Sequence, residues 1–103
     1  MRAAAAKMVG EETQIPRWET VQEFARLYRR DVLGLIPAVE GLIARQPKDD
    51  VPAAVARACI EEARRRLNET EANGLHGEVK RVQRLARSVI ALCDHYENLD
   101  EAA

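Results

Sequence analysis

From Val82 onward the apolar positions fall at Val82, Leu85, Val89, Leu92, Tyr96 and Leu99, with spacings alternating three and four. That is a heptad seam on one helix. A second apolar line, Val79, Ala86, Ile90 and Cys93, runs beside it. A stripe this broad needs two neighbours, or one neighbour and a second copy of the chain. The pattern predicts a closing helix from about Gly77 to Leu99, with residues 100–103 frayed.

An equally long apolar line precedes it: Val21, Phe24, Ala25, Tyr28, Val32, Leu35, Ile36, Val39, Leu42 and Ile43. Thr20 and Glu23 have capping-box spacing and place the start of this first helix near Thr20. Pro37 lies inside it, removes one backbone hydrogen bond and disfavours helical geometry at Ile36. Because the apolar period continues through the proline, a kink is expected rather than a break. Residues 46–50 read as a loop. Asp49 or Asp50 then caps a middle helix with Pro52 in its first turn, where a missing N–H costs nothing. Its expected buried face is Val55, Ala56, Cys59, Ile60, Ala63 and Leu67, with Glu61–Arg65 and Glu62–Arg66 spaced as surface ion pairs. Residues 68–77 form a turn region rich in Asn and Gly.

The expected architecture is an all-α antiparallel three-helix bundle, or four helices if Pro37 fully breaks the first. Residues 1–17, interrupted by Gly10 and Pro16, read as a flexible N-terminal arm, with Trp18 pinning it to a single domain over 18–103. The surplus width of the last stripe predicts a homodimer, with Leu85, Leu92 and Leu99 as contacts.

Composition narrows the function classes more than it names one. The chain has 103 residues and a formal net charge of −1, which gives no general pull toward nucleic acid or an anionic membrane. Aromatics are only 4% of the residues, which suits a core of Leu, Val, Ile and Ala between helices. No apolar run approaches the ~20 residues that span a bilayer. Met1 to Val9 lack the apolar segment of a secretion signal, so a cytoplasmic protein is expected. Cys59 and Cys93 are then expected as free thiols, although a bridge between adjacent helices is geometrically conceivable.

The segment Cys93, Asp94, His95, Tyr96, Glu97 contains a nucleophile, a carboxylate, an imidazole and a phenol. On a helix, however, consecutive side chains diverge by about 100°. A core cysteine, a rim tyrosine and a surface imidazole are the plainer reading. Arg84 and Arg87 have no acid three or four residues away, so their charge calls for a carboxylate from another helix, water or an anionic ligand. With Arg65 and its neighbours on the middle helix, and Arg29 and Arg30 on the first, they are the candidate ligand-binding residues for a carboxylate or phosphate. A metal site would have to gather Cys59, Cys93, His76 and His95; Cys93 and His95 point to different sides of their helix, and no metal or other cofactor is expected.

The segments YRRDVLGLIPAVEGLIARQPKDD (28–50), EARRRL (62–67) and RLARSVIALCDHYENL (84–99) resemble a family of small actinobacterial, Streptomyces-type proteins of unknown function. Its members are commonly described as natural-product biosynthesis proteins. The resemblance covers about 70 of the 103 residues, leaves out the arm before Trp18, and brings no catalytic residue. It implies a link to specialised metabolism. The resulting expectation is an accessory protein of such a pathway, acting through helix–helix contacts on a biosynthetic enzyme or carrier protein. The alternative is a small helical enzyme on a pathway intermediate. There His95 is general acid/base, Asp94 or Tyr96 assists, and Arg84 or Arg87 holds an anionic group. A nucleic-acid-associated regulator has only the arginine surface in its favour.

Overall fold

The computed structural model describes Arg2, residues 17–70 and residues 74–102. The arm expected over 1–17 otherwise lies outside the described residues. Among those described there are three helices and no strand: α1 (Trp18–Ile43), α2 (Val51–Leu67) and α3 (Leu75–Ala102).

The apolar line of α1 is its buried face, from Val21 and Ala25 through Tyr28, Val32 and Ile36 to Val39, Leu42 and Ile43. The helix runs through Pro37 without a break. The energetics favour this: a proline costs ~3 kcal/mol in a helix interior. Beyond it lie three large buried side chains, Val39, Leu42 and Ile43, each worth about 1.5–3 kcal/mol. Pro37 therefore does not divide α1 into two helices. The capping box does not. The helix reaches back to Trp18, with Arg17 at the N-cap and no side-chain cap, so Thr20 is an interior position.

The cap of α2 is as expected: the Asp50 carboxylate accepts from the Ala53 N–H at 3.0 Å, and Pro52 sits in the first turn. Its buried face is Ala53, Ala56, Ile60 and Ala63, mostly alanine, so its backbone approaches its neighbours closely. Val55 is a correction, at 52% exposed. Once Ala56 points inward, Val55 is turned away by about 100°.

The turn into α3 uses Gly74 at φ +84°, a left-handed conformation that glycine adopts without steric cost. α3 starts two residues earlier than expected and continues to Ala102. Val82, Leu85, Val89, Leu92 and Leu99 are all buried, and Tyr96 alone of the seam reaches the surface. Leu85, Leu92 and Leu99 are 2%, 0% and 1% exposed within one chain, so they cannot serve as contacts to a second copy. The broad stripe is consumed by two neighbours, α1 and α2, with α1 making the larger interface.

Polar cross-links fix the topology. The Gln22 amide donates to Glu78 at 2.7 Å, which sets the starts of α1 and α3 side by side. Arg29 donates to the Leu67 carbonyl at 2.7 Å, which sets the end of α2 against the first half of α1. The helices run up, down and up. Glu78 is fully buried, an unexpected carboxylate in the core. Both its oxygens accept from Arg81, through Nε and through Nη2, besides the Gln22 bond.

Candidate anion-binding cleft between α2 and α3

Cys59, Glu62 and Arg66 are spaced three and four apart and occupy one edge of α2. Arg84, Arg87, Ser88 and Ala91 share the facing side of α3. Between the two edges lies a cleft of about 350 Å³, lined by these seven residues. Because the helices are antiparallel, Arg66 stands near Arg84 at one end while Cys59 stands near Ala91 at the other.

Glu69, just past the end of α2, closes the basic end. Its carboxylate accepts from Arg84 Nη2 at 2.8 Å and from Arg66 Nη1 at 3.0 Å. Arg66 Nη2 also donates to Glu62 at 3.0 Å. Hydrogen bonding from Arg84, opposed by burial and aided by Arg66, holds the Glu69 carboxyl below the usual carboxylate range. The same contact with Glu69 raises the Arg66 guanidinium. Burial, reinforced by Glu62, pushes the Cys59 thiol up, so it is protonated near neutrality and is not an activated nucleophile. The groups lining the cleft can grip an anion. They include no imidazole.

The structure thus brings Arg84 and Arg87 together, and the inter-helix carboxylate that Arg84 required is Glu69. Arg65, one residue from the edge, is exposed on the outer face, and Arg66 takes its place in the cleft. Arg29 is engaged with Leu67, and Arg64 bridges to Glu40 at 3.1 Å in the α1–α2 groove, so neither of these two joins Arg84 and Arg87 in the cleft. The carboxylate of Glu69 had no local signal, since its partner lies 15 residues away.

His95 stands one turn beyond Ala91, about 16 Å along the axis from Arg84 at 1.5 Å per residue. Its expected assistants diverge from it. Asp94 accepts from Arg2 Nη1 at 2.5 Å, and the same guanidinium reaches Glu97 at 2.8 Å. Tyr96 is turned to the other side and is 38% exposed. Cys93 lies beside Arg2, Asp94 and Glu97, away from the cleft, and both cysteines are free. Among the described residues no three His, Cys, Asp or Glu side chains gather as metal ligands, and no helix is long and apolar enough to cross a membrane.

No curated protein and no solved structure matches the chain. The profile of one family, DUF6415, matches residues 1–101, so the family likeness extends into the segment before Trp18 as well as over the helices. The chain belongs to this family of unknown function.

Proposed function

We propose that the protein is a non-catalytic accessory component of natural-product biosynthesis, docking through its helices onto a biosynthetic enzyme or carrier protein. The observation that carries this reading is the outer surface of the first two turns of α2. Val51 is 71% and Val55 52% exposed there, with Ala54 and Ala58 beside them. The inner face of the same helix is already packed, and among the described residues nothing buries these apolar side chains. The arginine cleft continues along the same edge of α2. A partner helix with apolar residues at one end and carboxylates at the other complements that surface. The dispersal of His95, Asp94 and Tyr96 supports docking over catalysis.

A homodimer belongs to this reading too, with its interface on the outer face of α1. Leu33 is 53% exposed there, and Gly34 and Gly41 leave open space in which a second helix fits closely. Static light scattering at tens of micromolar should give twice the chain mass; a monomer mass refutes this part.

The docking role is tested by a pull-down from a producing actinobacterial strain, with the wild-type chain and Val55→Glu as baits. The wild type should retain a pathway enzyme or carrier protein and Val55→Glu should lose it. Failure of the wild type to retain either contradicts the proposal, as does equal retention by the variant.

A further inference from the structure

Glu23, Gly34 and Arg45 follow one another at intervals of eleven residues along α1 and the turn that closes it. Arg45 keeps the helical winding past Ile43, since its N–H bonds to the Leu42 carbonyl. Eleven residues make almost three full turns, so the three positions fall on one line of the outer face. All three are exposed, and among the described residues neither Glu23 nor Arg45 has an ion-pair partner. Opposite charges thus stand about 16 Å to either side of a glycine. We infer that a second copy of the chain lays its α1 antiparallel along this line, with the two helices crossing at Gly34. This register rests on the homodimer proposed above and gives it an axis.

Charge sets the orientation. A two-fold axis at Gly34 brings Glu23 opposite the partner's Arg45 and, by the same rotation, Arg45 opposite the partner's Glu23. Parallel packing would set Glu23 against Glu23 and Arg45 against Arg45. Within one chain the two residues are about 33 Å apart and cannot meet. The glycine suits the crossing. A Cβ built at Gly34 meets no atom within 4 Å, so no contact inside the chain calls for the missing side chain. Glycine in a helix interior weakens the monomer, and close approach of a second backbone is what it permits.

Leu33 supplies the apolar contact. It stands about 100° around the helix from Gly34, on the side of α1 that looks toward α2. There a groove of about 400 Å³ opens between the two helices, its apolar wall formed by Leu33, Ile36, Pro37 and Leu67. In the antiparallel register the partner's Leu33 falls beside Leu33 and Pro37 and enters this groove, and the two copies fill each other's grooves at once. Leu33, 53% exposed in one chain, is then covered. Val55 shares the other edge of α2 with Cys59 and Glu62, so the dimer leaves the docking surface open.

The test is sedimentation equilibrium of the full chain and its variants at low salt, with circular dichroism melts to establish that each is folded. Glu23→Arg and Arg45→Glu should each weaken dimerisation about ten-fold, and both together in one chain should restore it to within about three-fold of the wild type. Leu33→Asp and, independently, Gly34→Leu should each weaken it about thirty-fold or more. All four positions are exposed in the single chain, so a folded variant reports on the interface and not on the core. A wild-type monomer at tens of micromolar ends the homodimer itself. A wild-type dimer that either charge reversal leaves unchanged, or that the double variant fails to restore, overturns the antiparallel register while the homodimer stands. A dimer indifferent to Leu33→Asp and Gly34→Leu overturns it equally.

Discussion

Removal of the Glu78 carboxylate is the sharpest perturbation of this fold. Glu78→Ala takes away the carboxylate that accepts from the Arg81 guanidinium and from the Gln22 amide in the interface of α1 and α3. Breaking a buried charge pair from one side costs about 3–5 kcal/mol. Arg81 is 12% exposed along its side chain and keeps a route to water, which places the expected loss near the lower end, about 3 kcal/mol. At about 4–8 °C per kcal/mol for a domain of this size, the melting temperature falls by about 12–24 °C. Replacing both charges, as in Glu78→Leu with Arg81→Met, removes both members of the ion pair and should recover part of the loss, with the Gln22 amide still deprived of Glu78. Urea and thermal unfolding of the two variants measure the difference. A single variant within about 0.5 kcal/mol of wild type, or a double variant no better than the single one, refutes the description of Glu78 as a buried, paired carboxylate.

Other expectations concern single positions. Gly34→Ala and Gly41→Ala should each stabilise the monomer by about 0.5–1 kcal/mol in urea unfolding, because neither added methyl meets an atom within 4 Å; a loss of stability contradicts the outward placement of these residues. Asp50→Ala removes the α2 cap and should cost about 1 kcal/mol by the same measurement, with no change meaning that the cap bond is not made. Glu69 has its carboxyl held below the usual range when folded, so its contribution is complete above the ordinary carboxylate pKa and is lost as pH falls through the folded value. Stability against pH should therefore decline less steeply on the acid side in Glu69→Gln than in the wild type, and parallel curves contradict the ion pairs.

The helices were legible because burial follows periodicity. Every residue of the apolar line on α1 is buried or packs against the core, and the α3 seam is buried except at Tyr96. The mistakes arose where one-dimensional spacing leaves the direction of a face undetermined. On α2, alanines and Val55 are both apolar, and only the approach of the neighbouring helices selects Ala53, Ala56, Ile60 and Ala63 for the interior. The α3 stripe is as broad as its spacing implies, and a second neighbour in the same chain absorbs it. The candidate cleft was half legible. Arg84 and Arg87 stand out through lack of local acids and Arg66 as a neighbour of Arg65, whereas Glu69 is concealed by its distance along the chain. Buried Glu78 resembles any first-turn acid, and nothing local marks it as interior.

The division between docking and catalysis comes down to two residues on different surfaces, Val55 on the outer turn of α2 and His95 on α3. The most direct measurement is product formation in a reconstituted biosynthetic pathway supplied in turn with wild-type protein, Val55→Glu and His95→Ala, each shown to be folded. The account predicts that Val55→Glu lowers product formation and that His95→Ala leaves it unchanged. Full product with Val55→Glu, together with a loss on His95→Ala, contradicts it.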